Sequence, residues 1–465
     1  MSTTASRLAR RSPEIIFGIC LAAAVAGLIA AGSGLTFFFD EWQLVLDRQG
    51  ISADVFLSPH NGQVFVLPVA AYKLLLGIFG MGSQLPFRIA AVLMISLCSV
   101  LLFIYARRRV GPWMALVCTV PLLCLGSAWE ALLLPLSINF TACLAAGLGM
   151  LLALERGDRR GDIAATVLLG ISIAAGGLGL AFAAGAAVNV AVGRDLRRAP
   201  IVLAPVSLLV LWTLVYGGEG MALVSIDRVG EVGDSLFALL STALNSLAGL
   251  SPDRRPYFWL STDQSPGLVL AVLFLIALAV RLAITRVPIT RKSLEVGAVL
   301  LIFWLLIAIA EGREPESSRY QYPGAVLLVA FVLSLLEGFR LPRLLPLALV
   351  PLVVLSVWSS ELALEGGRDF LLEQSEVTLS ALGVMEAEDV RDLPEFTAGD
   401  TRGDTRFLQF IESGPYFRAI DREGVTLGYD RRRIEGAPEP ARRIAAWVGT
   451  RIETARAGRR KADPG

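Results

Sequence analysis

Two adjacent acids, Asp40 and Glu41, end the first long apolar run of the chain, in the segment Phe39-Asp40-Glu41-Trp42. A carboxylate at the mouth of a membrane cavity can act as a general base or ligate a divalent metal. Neighbouring carboxylates point in different directions, so one of the pair leads such chemistry. The plainer reading is a helix end at headgroup level. Glu130, after Trp129, is a third acid set among apolar residues, where a carboxylate is costly unless it faces a polar cavity. The single histidine, His60, lies in Ser58-Pro59-His60-Asn61-Gly62, a turn by its local chemistry. Lys73 sits within the apolar stretch 64–76, where it can snorkel or meet a lipid phosphate. Arg319 and Tyr320 precede a late apolar run. An arginine at the membrane edge offers bidentate donors to a phosphate, in competition with salt bridges to Glu311, Glu314 or Glu316.

These residues must be held by membrane helices. Of the 465 residues, 55% are hydrophobic and only 18% charged, with several long runs free of charge. The mean hydropathy is +0.63. That pattern belongs to a polytopic helical membrane protein. A net charge of +1 gives no electrostatic case for nucleic acid. All five cysteines fall in apolar runs, and a lone histidine excludes a multi-histidine metal centre.

The distribution of arginine orders the crossings. Clusters at 107–109, 156–160, 194–198, 281–292 and 340–343 fall on one side if the chain crosses about 11 times, with the N-terminus inside and the C-terminus outside. The N-terminal run is too long for a cleaved signal and reads as a first span. The expected spans lie near 14–36, 86–106, 111–128, 134–154, 199–216, 266–283, 294–310, 324–338 and 344–359, with 163–175 and 178–192 as a hairpin broken at Gly176-Gly177. The stretch 236–250 reads as interfacial or re-entrant. Residues 1–359 thus form a transmembrane domain, with 37–85 as its first external loop and amphipathic helices within that loop. Residues 360–465 form a small external region, acidic at first and then rich in arginine.

Three features together resemble the GT-C superfamily of integral-membrane glycosyltransferases, in particular its bacterial mannosyl- and aminoarabinosyl-transferase-like branch. They are the acidic motif Asp40-Glu41 opening a long external loop with a Pro59-His60-Asn61 turn, the short paired helices in mid-chain, and Arg319-Tyr320 before a late span. The chain departs from members that carry two consecutive aspartates or a separate second acid in this loop. Asp47, Asp54 and Glu130 are the alternatives here.

The resemblance implies transfer of a sugar, with inversion, from a polyprenyl-phosphate carrier to a glycan, lipid or protein acceptor. The reaction would take place on the outer face of a bacterial cytoplasmic membrane. Asp40 and Glu41, with Glu130 as a further acid, would deprotonate or orient the acceptor hydroxyl. His60, Asn61, Lys73, Arg88, Arg319 and Tyr320 would bind substrate, the cations balancing the leaving phosphate. A divalent metal at Asp40 and Glu41 is one further implication. Two readings from other classes stand beside this one: a transporter or flippase of lipid-linked saccharides, and a non-catalytic membrane scaffold. A transporter calls for ionisable groups at mid-membrane, often with repeat symmetry, and the candidates here gather at the outer ends of the spans.

Overall fold

A computed structural model describes residues 3–217, 226–250, 265–284, 288–310, 313–401 and 403–462. Glu311 and most of the loop after Tyr216 lie outside them. Among the described residues the secondary structure is helical, with only two isolated β-bridges, His60 to Gln63 and Thr397 to Glu412. The fold class is therefore the all-helical membrane architecture expected.

Five helices are long and apolar enough to cross a membrane: Arg11–Ala31, Leu85–Val110, Pro135–Leu154, Leu196–Tyr216 and Pro266–Ala283. The pair Pro112–Cys124 and Gly126–Leu133, bent by 43°, makes six if taken as one span. Helices also stand at the other expected positions, but they are shorter or more charged. They include Arg159–Ala175 and Leu178–Gly193, Arg291–Ala308, and Ser318–Leu335. Near the last expected span a short helix, Leu345–Ala348, precedes Val350–Ala387, which runs for 38 residues. The helix Val232–Leu247 fills the stretch read as interfacial.

The chain divides into two compact units. One comprises Met1–Ala31, Leu57–Pro68 and Ala90–Gly367; the other comprises Gly32–Phe56, Val69–Ile89 and Arg368–Gly465. The second unit thus draws on the first loop as well as on the C-terminal region, where the sequence suggested a cut at residue 360.

In the first unit Pro135–Leu154 is the most enclosed of the long helices, whereas Leu196–Tyr216 and Pro266–Ala283 show apolar faces outward, as lipid contact requires. Small residues let the inner helices approach closely, as membrane packing favours. Gly147 leaves no room beside Phe182, and Gly185 none beside Val299. Cys143 and Ser172 each donate to the other's carbonyl, at 3.1 and 3.0 Å, which pins Pro135–Leu154 to Arg159–Ala175. At Gly126, between the two short helices, a Cβ would overlap the Ser360 carbonyl oxygen, so this close approach requires glycine.

The second unit has an aromatic core. Phe37 packs edge-on to Trp42 and Phe87 at 5.6 and 5.1 Å, and Trp42 meets Tyr416 at 6.4 Å. Phe38 lies 5.0 Å from Phe407. The segment carrying the acidic pair is therefore built into one core with the C-terminal region.

Candidate functional site

Glu41 is fully buried, and both of its carboxylate oxygens are engaged. Tyr72 donates its hydroxyl to Oε1 at 2.6 Å; the Phe38 N–H and Gln84 Nε2 donate to Oε2 at 2.8 and 3.0 Å. These donors favour the carboxylate, but burial outweighs them and pushes the group up to about 7. The same burial, together with the charge of Glu41, drives the Tyr72 hydroxyl well above its usual range. Glu41 thus organises the loop. Tyr72 and Gln84, its partners, had no chemical signature that would have singled them out in the sequence.

Asp40 is half-buried, at the start of the helix Glu41–Leu46. The residue before it, Phe39, adopts φ of 49°. For a bulky side chain this left-handed conformation costs roughly 1–2 kcal/mol, and such strain persists only where the surroundings enforce it. They do so here, since Phe407 and Phe410 pack on the Phe39 ring at 5.7 and 5.0 Å and Glu41 holds the preceding N–H. Asp47, another acid of the loop, is pushed up to about 6 by burial and then by the charge of Glu412.

Two of the expected phosphate-binding cations sit in this unit with their donors committed. The buried Arg88 guanidinium donates to the Gly32 carbonyl and to Gln84 Oε1. Lys73 donates to the Arg48 carbonyl at 2.6 Å, and its partial burial lowers its pKa. The donor set does not fit a divalent metal at the pair: both Glu41 oxygens already accept hydrogen bonds. Among the described residues no three histidine, cysteine or acidic side chains cluster as ligands.

The first unit holds the other candidates. Glu130 is buried and accepts from Ser318 Oγ at 2.5 Å, the Arg319 N–H at 3.0 Å, Arg319 Nη2 at 3.2 Å and Ser317 Oγ at 3.4 Å. A carboxylate so placed satisfies orphan donors at the start of Ser318–Leu335 and complements the helix dipole. It also orients Arg319, whose side chain is 33% exposed. Arg319 therefore pairs with Glu130, an acid absent from the salt-bridge partners that its sequence neighbours suggested. The Tyr320 ring meets Phe140 edge-on at 6.0 Å.

The Asn61-Gly62 pair forms a tight two-residue turn with φ of 48° and 70°, closed by paired hydrogen bonds between His60 and Gln63 at 3.0 and 3.1 Å. Asn-Gly is the sequence that tolerates positive φ at both positions. His60 is buried against Phe65, at 4.6 Å. Gln63, which the sequence did not single out, accepts the Gly177 N–H at 3.1 Å and ties the turn to the break in the helical hairpin. The structure thus joins Glu130 to Arg319 and the His60-Asn61 turn to the hairpin within one unit, and Asp40, Glu41, Lys73 and Arg88 within the other.

No family model and no curated protein matches the chain. Solved structures do. The crystal structure of ArnT from Cupriavidus metallidurans in the apo state aligns with 89% of this chain and 88% of its own, at 15% identity and a TM-score of 0.52. The same protein bound to undecaprenyl phosphate aligns over 90% of both chains at 16% identity and a TM-score of 0.48. The chain shares the fold of ArnT.

Proposed function

We propose that the protein is a membrane glycosyltransferase that takes a sugar from a polyprenyl-phosphate carrier, with Asp40 as the catalytic base. The observation that carries this reading is the division of labour in the acidic pair. Glu41 is consumed as a buried anchor, and the strained Phe39 backbone fixes the half-buried Asp40 beside it. Strain of this kind, enforced by an aromatic core, is characteristic of groups held for chemistry.

In the proposed step Asp40 accepts the proton of an acceptor hydroxyl as that oxygen attacks the anomeric carbon. The bond from the anomeric carbon to the phosphate oxygen breaks, and the lipid phosphate leaves with the electron pair. Single displacement inverts the anomeric configuration. Within the first unit Arg319, held in orientation by Glu130, offers charge-assisted donors suited to a phosphate. Lys73 and Arg88 act as positioning residues, since their donors hold the loop backbone together. For the prenyl tail, a cavity of about 240 Å³ in the first unit is walled by Met114, Leu244, Leu328 and Leu352. Such a wall suits hydrocarbon. The positive-inside rule puts the N-terminus in the cytoplasm and the C-terminal region outside, in a bacterial inner membrane.

Glycan analysis of the cell envelope tests this. A deletion strain should lose a sugar modification, and a strain expressing Asp40→Ala at normal level should lose the same one. An unaltered profile with Asp40→Ala, against a clear change on deletion, would remove Asp40 from the chemistry.

A further inference from the structure

At the end of the first unit's helices away from Arg319 lies a polar chamber. Arg319 opens the helix Ser318–Leu335, and Glu337, which lines the chamber, follows its last turn. Eighteen residues of helix separate the two ends by about 27 Å, close to the thickness of a bilayer core. The chamber has a volume of about 400 Å³, within the range of small-ligand sites.

Five of its side chains have buried polar atoms without a hydrogen-bond partner; two of these atoms, Arg109 Nε and Glu337 Oε2, lie 3.8 Å apart as an ion pair, and the other three belong to buried residues. Glu295 and Asn189 are each 3% exposed, and Tyr105 is fully enclosed. Asn189 Nδ2 donates to Glu295 Oε2 at 2.7 Å, which leaves Glu295 Oε1, Asn189 Oδ1 and the Tyr105 hydroxyl unsatisfied. Leaving such buried groups bare is costly, so a ligand that satisfies them is favoured. Two are pure acceptors and the third a hydroxyl, so the complementary ligand is rich in N–H donors.

The charges around the chamber refine its identity. Arg109, Arg198, Arg291 and Lys292 line it, with Glu155, Glu295 and Glu337. Asp162 holds Arg198 at 2.6 Å, which brings the acids to four against four cations. Glu155 binds Arg109 at 2.5 Å and Lys292 at 3.5 Å, and Lys292 also binds Glu337 at 3.1 Å. That network is closed on itself. Arg291 and Glu295 are the opposite charges of the lining that stand outside these ion pairs among the described residues, each within reach of the other's field. A balanced lining of this kind suits a ligand with both charges and no net charge.

We infer that the chamber binds a primary ammonium carried on a phosphate, the phosphoethanolamine group. The ammonium, with three donors, would answer Glu295, Asn189 and Tyr105, and the phosphate would lie toward Arg291. The surrounding arginine clusters mark this as the cytoplasmic end, where basic pockets between membrane helices take lipid headgroups. The same chemistry also occurs on soluble phosphoethanolamine esters.

The test uses the purified full-length protein, delipidated in detergent and offered phosphatidylethanolamine, phosphatidylcholine or phosphatidylglycerol of identical chains. Native mass spectrometry reads lipid retention. Phosphatidylethanolamine should be retained about tenfold over phosphatidylcholine, whose quaternary ammonium has no N–H, as expected for one charge-assisted hydrogen bond of about 1.4 kcal/mol or more. Tyr105→Phe, which deletes only a hydroxyl, and Glu295→Gln should each shrink that preference while phosphatidylglycerol retention stays as in the wild type. Displacement by glycerophosphoethanolamine would support the site and name a soluble ligand; its failure would support the lipid. Equal retention of the ethanolamine and choline lipids by the wild type would overturn the inference. So would an undiminished preference in both variants.

Discussion

Burial at Glu41 has a consequence for pH. The folded state holds this proton more tightly than the unfolded chain, where a glutamate titrates near 4.5; the folded group titrates at about 7. Glu41 therefore contributes stability that is complete below about pH 4.5 and lost as the pH rises to about 7, amounting to roughly 3 kcal/mol. Thermal unfolding midpoints of the purified protein should fall across that window, and Glu41→Gln should flatten the fall. A wild-type midpoint that climbs between pH 4.5 and 7 with the same slope in Glu41→Gln would refute this account of the buried carboxyl. Asp47, pushed up to about 6, adds a smaller slope of the same sign. At this scale the sequence displayed the acids but not their roles. The choice between Asp40 and Glu41 depends on Tyr72 and Gln84, 31 and 43 residues downstream of Glu41. The partnership of Glu130 with Arg319 spans 189 residues, and no local pattern announces it.

Elements were more legible where glycine or charge punctuates them. The double glycine at 176–177 marked the hairpin, and Leu178–Gly193 begins just after it. The Asn61-Gly62 dipeptide marked the tight turn. The long helix Val350–Ala387 was harder to foresee. Its first part is apolar and its second charged, so composition suggested a break near residue 360, yet backbone hydrogen bonding continues through the change. The reason lies in packing: Gly126 admits the Ser360 backbone and Gly367 admits the Trp129 ring, both in the first unit. Gly126→Ala should accordingly destabilise by about 3 kcal/mol, because the overlapping atom is backbone and cannot rotate away. A drop of several degrees in the unfolding midpoint in detergent is the expected result; an unchanged midpoint would show that the helix end can shift to make room.

At the scale of the whole molecule, the arginine clusters at 107–109, 156–160, 194–198, 281–292 and 340–343 lead us to propose an orientation with the N-terminus inside and the C-terminal region outside. Alkaline phosphatase fused after Gly465 should be active, and a fluorescent protein that matures only in the cytoplasm should stay dark there. The reverse pattern would invert the topology and place the aromatic core around Asp40 in the cytoplasm. The composition made the membrane class plain, and the fold shared with ArnT agrees with the architecture that the resemblance implied. The C-terminal region resembled no known sequence family. Its contribution is the aromatic packing of Phe407, Phe410 and Tyr416 against the segment that holds the acids.

Asp40 is proposed to perform the proton transfer in a sugar transfer from a polyprenyl-phosphate donor. The most direct measurement follows the full-length protein in lipid nanodiscs, loaded with radiolabelled lipid-linked sugars extracted from the deletion strain. Wild-type protein should release polyprenyl phosphate and label the acceptor fraction. Asp40→Asn should do so at least about a hundredfold more slowly, the loss expected for a general base, while its donor binding stays within a few-fold of wild type. Turnover by Asp40→Asn at the wild-type rate would contradict the account.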